Sequence, residues 1–134
     1  MPLTADFART YRDGIELDFL VKTNSQIYAG ALVMLDTNGL LIPGADTANC
    51  KFAGVALRNV LGDGVKTCRV RVEGVFEVAS SGLTQAAVGA LAYLTDDTTA
   101  ALYAGTTNHI CCGRITKFIS ATKIQVKINS AAQV

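Results

Sequence analysis

His109 is the sole histidine in the 134-residue chain, so any mechanism that needs an imidazole must use it. Paired with Asp96 or Asp97 it could serve a small hydrolytic or ligand-binding barrel, with histidine as base and carboxylate as orienter. Cys111 lies two positions away, but residues of one strand diverge, so a Cys-His pair would need a group from another strand. Ser80-Ser81-Gly82 lacks the setting of an activated serine. His109 therefore reads as a structural or surface residue. Asp96-Asp97 reads as a turn accepting local backbone hydrogen bonds.

The other reactive groups fare similarly. Cys50, Cys68, Cys111 and Cys112 have no CxxC spacing, and adjacent cysteines on a strand face opposite ways. Buried thiols in a reducing compartment are expected, with no disulfide, metal or cofactor. Gly62-Asp63-Gly64 lacks the lysine and following helix of a phosphate loop, and reads as a hairpin turn. Arg69, Arg71 and Glu73 share a strand face. They could meet an anionic ligand, or pair across the sheet with Glu16 and Asp18; alternating charges on an outer face are ordinary solvation.

Twelve basic and eleven acidic residues nearly cancel and are interspersed, which removes the long-range field that draws a polyanion. A single-stranded nucleic-acid-binding barrel, the alternative among binding modules, would need a basic groove with exposed aromatics. Near-zero net charge also lowers the barrier to self-association. No apolar run approaches the roughly 18 residues of a membrane span, and the start lacks a secretory pattern, so synthesis in a host cytoplasm is expected.

The elements that position these residues are short strands. Ile15, Leu17, Phe19 and Val21 alternate with mostly polar neighbours, and Lys66 to Glu73 do the same over a longer run. Asn38-Gly39 between apolar segments predicts a type I′ hairpin with positive φ at both residues. Gly74 interrupts a strand that resumes at Val75, where a corner is expected. Leu83 to Val88 could form one helical turn. Residues 1–14 form an N-terminal arm, and 15–134 a single all-β domain, a small barrel or sandwich of about eight to ten short strands.

That domain is written twice. Ile27 to Leu35 returns in outline as Ala86 to Leu94, and Asn49 to Val55 as Asn108 to Arg114, with Gly30/Gly89 and Gly54/Gly113 both 59 positions apart. Cys68 to Val72 and Lys123 to Ile128 follow in the same order with a shift of a few residues. The pseudo-repeated halves run over about 27–78 and 86–129. Neither contains a catalytic constellation, and a scaffold of paired similar units is the simplest reading.

The ordered segments Ala29-Gly30 with Leu32-Val33, Phe52-Ala53-Gly54-Val55-Ala56, Val70-Arg71-Val72-Glu73-Gly74-Val75-Phe76, Val88-Gly89 with Ala92-Tyr93, and Gly113-Arg114-Ile115 with Val126-Lys127-Ile128 resemble the capsid decoration, or cement, proteins of tailed bacteriophages. The resemblance covers roughly residues 26–128. It implies an all-β virion protein, often a homotrimer, on the outer capsid surface and bound to the major capsid protein, with neither catalysis nor cofactor. The family often has Asp after the strand-opening Gly; this chain has Ala31 and Ala90. The arm lies outside the family pattern, and its residues Pro2, Leu3, Phe7 and Tyr11 are the candidate capsid-interface residues.

Overall fold

The computed structural model describes residues 4–6 and 15–129, so Pro2, Leu3, Phe7 and Tyr11 lie outside the described residues. Among these there are twelve strands: β1 (Glu16–Leu20), β2 (Gln26–Ile27), β3 (Leu32–Leu35), β4 (Leu41–Pro43), β5 (Lys51–Ala56), β6 (Val60–Leu61), β7 (Thr67–Arg71), β8 (Glu73–Ala79), β9 (Leu91–Leu94), β10 (Ala100–Ala101), β11 (Cys111–Ser120) and β12 (Lys123–Asn129). Single 3-10 turns sit at Gln85–Ala87, as expected, and at Tyr103–Gly105. The strands exceed the expected eight to ten because β2, β6 and β10 are two-residue pairings too short to show an alternating pattern.

Two five-stranded sheets share one order. The first runs β1-β7-β5-β3-β4 and the second, in the same direction, β8-β12-β11-β9-β10. The registers agree residue by residue. Leu32↔Val55, Val33↔Gly54 and Met34↔Phe52 in the first half become Leu91↔Arg114, Ala92↔Gly113 and Tyr93↔Cys111 in the second, with the same irregularity skipping Ala53 and Cys112. Gly30 donates to the Ala56 carbonyl at 2.8 Å, and Gly89 to that of Ile115 at 2.9 Å. Val55↔Arg71 and Ala56↔Val70 recur as Arg114↔Lys127 and Ile115↔Val126. The sequence repeat is thus a repeat of strand pairing.

This register moves the bounds of both copies. Leu17↔Val70 matches Phe76↔Val126, so β1 and β8 are equivalent strands and residues 73–79 open the second copy instead of closing the first. The expected corner is there: β7 ends in one sheet, Gly74 takes φ +139°, and β8 continues in the other. Only glycine takes that φ without strain.

Two expected turns are built differently. The β3–β4 hairpin closes through Asp36: its carbonyl accepts from Gly39 at 3.0 Å, and its amide donates to Leu40 at 3.0 Å. Gly39 alone has positive φ and Asn38 does not, which is a three-residue loop with a glycine bulge instead of type I′. Gly62-Asp63-Gly64 is not a hairpin turn. β6 pairs with β2, β7 pairs with β1 and β5, and Asp63 Oδ1 holds the link by accepting from Val65 and Lys66 at 2.9 and 2.8 Å.

Each sheet curls until its edges touch. Val21 bridges Leu41 in the first and Ala79 bridges Thr99 in the second, both parallel. The first interior holds Val33, Ala53, Ala56, Cys68, Val70 and Val72, and is covered by Ile27 and Val60 of the β2–β6 pair. The second interior, with Ala92, Cys112, Ile115, Ile124, Val126 and Ile128, joins in one cluster with Leu32, Met34, Phe52 and Val55. Those four belong to the outer face of the first sheet, so β3 and β5 are buried on both faces. Their near-continuous apolar runs follow from that. Each such side chain contributes about 1.5–3 kcal/mol on burial. No helix among the described residues is long and apolar enough to cross a membrane.

Candidate functional site

Among the described residues, no hydrogen bond or ion pair joins His109 to Asp96 or Asp97. The His109 ring stacks on Tyr103, with centroids 3.6 Å apart and planes at 6°, and its Nδ1 lies 3.0 Å from Thr106 Oγ1. Tyr93 meets both rings edge-on at 6.0 and 5.5 Å. Asp96 closes its own turn: Oδ1 accepts from the amides of Thr98 and Thr99, each at 2.8 Å. Burial pushes its carboxyl up, but these hydrogen bonds together hold it below its ordinary value. The carbonyl of Asp97 accepts from Leu32 at 2.8 Å across the two halves.

The charged face resolves into cross-strand pairs. Arg69 grips Asp18 with two hydrogen bonds at 3.1 and 3.3 Å, and Arg71 lies 3.6 Å from Glu16. The hydrogen bond to Asp18 raises the Arg69 pKa further. Opposed β1 and β7 registers place these residues side by side, which fulfils the pairing expectation for the two arginines, whereas Glu73 lies in β8 of the other sheet and not on their face.

The four cysteines are thiols. Burial pushes the Cys112 thiol up to about 12, with Cys111 adding to it, and burial is also the main cause of the upward shifts at Cys50, Cys68 and Cys111. A thiol held protonated is a poor nucleophile and metal ligand. Among the described residues, no three or more His, Cys, Asp or Glu side chains are placed to hold a metal ion.

What the structure does assemble is a joint. Asp46, in the β4–β5 connection, accepts from the Thr107 and Asn108 amides at 2.7 and 2.8 Å, and Asn108 Nδ2 returns a bond to the Asp46 carbonyl at 2.8 Å. These amide bonds, the Thr107 one first, lower the Asp46 pKa. A depressed folded pKa stabilises the joint at pH above the ordinary carboxylate value of about 3.9, and that contribution is lost as pH falls through the folded value. Asp46 carried no signal in the sequence beyond being an acid in a loop, because its partners lie 61 and 62 positions away.

A shallow cleft of about 550 Å³ lies between Gly30, Leu32 and Val55 of one half and Phe76, Val78 and Asp97 of the other. Its lining includes no histidine or cysteine. The exposed large apolar residues are spread over both ends, with Tyr28, Leu61 and Val65 on the first half and Leu91 and Tyr103 on the second. The chemistry available is contact chemistry: apolar surface, tyrosines and arginines held on two rigid barrels.

Comparison with known proteins agrees with that geometry. A family model described as phage cement protein matches residues 11–129, which takes in every described strand. No curated protein and no solved structure gives a match. A match over that much of the chain places it: the protein belongs to the phage cement protein family.

Proposed function

We propose that the protein is a capsid decoration protein that sits on the outer surface of a phage head, binds the major capsid protein, and stabilises the lattice as a homotrimer. The observation that carries this reading is the family match over residues 11–129. The fold supports it. A cement must transmit load without yielding, and two barrels sharing one core, with β3 and β5 buried on both faces and Asp46 tying the loops, form a stiff unit. Binding over many lattice sites needs no cleft and no perturbed acid or base, because small contacts accumulate by avidity.

The arm is the proposed capsid contact. Pro2, Leu3, Phe7 and Tyr11 give it large apolar groups that anchor a chain on a surface. Deleting residues 1–12 is expected to abolish binding to heads while the thermal unfolding of the domain stays cooperative. Undiminished binding by the truncated chain would remove the arm from the account. Heads carrying the full protein are expected to rupture at a higher temperature than bare heads, and equal rupture temperatures would contradict a cementing role.

A further inference from the structure

We infer that the outer face of the second barrel, around Leu91, Tyr93, Tyr103 and Arg114, docks on the β2–β6 cap of another copy of this chain. The argument comes from following the two halves end to end. The outer face of the first barrel, formed by Leu32, Met34, Phe52 and Val55, is buried because the second barrel covers it. The register assigns the same positions in the second barrel to Leu91, Tyr93, Cys111 and Arg114. There Leu91 is 40% exposed and Arg114 is exposed, and the adjoining Tyr103 is 59% exposed. One face of one repeated design is buried within the chain, and its counterpart is exposed at Leu91 and Arg114 and half-buried at Cys111 and at Tyr93, which packs against Tyr103 and His109.

The occupant follows from what leads the next copy. The first barrel's interior is closed by the β2–β6 pair, and the residues equivalent to β2 in the second half form a 3-10 turn instead of a strand. Ile27 faces the core with Val60 beside it, which leaves Leu61 on the outer side at 54% exposure, near Val65 at 80%. A chain of barrels joined outer face to cap would cover both sets of apolar residues. The substitutions fit an interface that must also exist apart: where Met34 and Val55 are sealed, Tyr93 and Arg114 are amphipathic, and tyrosine and arginine are the residues enriched where proteins meet reversibly. The near-neutral chain offers little repulsion between copies. An outer-face-to-cap contact is heterologous, and such a contact closes into a ring, as a trimer requires, when its rotation is a whole fraction of a turn.

The contact deepens the cement reading, and rests on it only for where the assembled copies sit. Leu91→Glu places a carboxylate opposite Arg114, and Leu61→Glu places one on the cap, both on exposed strand positions that leave the cores untouched. The wild-type chain is expected to show a multiple of the monomer mass by light scattering, and each variant the monomer mass with an unchanged unfolding midpoint. Mixed in equal amounts, the two variants are expected to recover a two-chain species, because one intact outer face then meets one intact cap. A monomeric wild type, a Leu61→Glu variant that keeps the wild-type mass, or a mixture that stays monomeric would overturn the inference. A monomeric wild type that still binds heads would overturn it, and the homotrimer with it, while leaving capsid binding in place.

Discussion

Gln26 and Gln85 are the same residue at the same point of the two halves, and they lie in different structures. Gln26 is in β2, paired with Leu61 of β6, while Gln85 opens a 3-10 turn. The cause is downstream. In the first half the chain between β5 and β7 makes a detour that supplies β6. In the second, β11 runs directly into β12 through a tight turn at residues 121–122, so no counterpart of β6 is there for Gln85 to meet among the described residues. Backbone groups without a ladder partner satisfy themselves locally, as Ala87 and Val88 do by donating to Thr84 and Gln85. Local conformation here is decided by which partner exists, and burial of a face is decided in the same way.

The strongest test of that comparison exchanges residues between equivalent positions. Val55→Arg puts a charge at a buried position on the wall of the cleft between the barrels and is expected to cost about 2–3 kcal/mol in urea unfolding. Arg114→Val, its mirror, sits on an exposed strand and gives up a hydrogen bond to the Gly89 carbonyl; it is expected to stay within about 0.5 kcal/mol. Equal costs would mean that the two faces are not differently covered.

Next comes the pair of glycines that fixes the repeat. A Cβ on Gly54 would run into the Arg71 carbonyl oxygen, and one on Gly113 into that of Lys127. Each Gly→Ala is expected to cost about 2–3 kcal/mol through overpacking. Gly54 also holds φ +148°, so its substitution should cost about 1 kcal/mol more than that of Gly113. Reversed order in denaturant unfolding would break the assignment of strain to the first half.

Those glycines are also why so much was legible in the sequence. Close approach of strands admits no side chain at Gly54 and Gly113, and Gly30 and Gly89 hold positive φ of +88° and +93°, so both pairs keep the same spacing while their neighbours drift. The equivalence of β1 and β8 left no such mark, because their positions need only alternation: Leu17 and Phe76 are equivalent yet unlike. The Gly62-Asp63-Gly64 link read as a hairpin because turn chemistry is local, whereas the partner of β6 lies more than 30 positions back. As for the site, the cross-strand ion pairs followed from strand period, but the Asp46 joint and the Tyr93, Tyr103 and His109 cluster depend on the docking of loops, which leaves no period to read.

Smaller effects sharpen the comparison. Gln26→Ala removes side-chain bonds to Asn59 and to the Val60 carbonyl, and is expected to cost about 1 kcal/mol, against no measurable change for Gln85→Ala. Ser80 occupies the place that Val21 holds in the first half, and its buried hydroxyl has no hydrogen-bond partner among the described residues. Ser80→Ala is therefore expected to stabilise the protein by up to about 1 kcal/mol, read as a raised unfolding midpoint.

The central claim, that the two barrels together form a phage cement, is tested most directly by sedimenting the full-length protein with purified expanded heads of its phage. The account predicts that it pellets with the heads and saturates at a fixed number of copies per capsid subunit. Protein that stays in the supernatant at every concentration would contradict it.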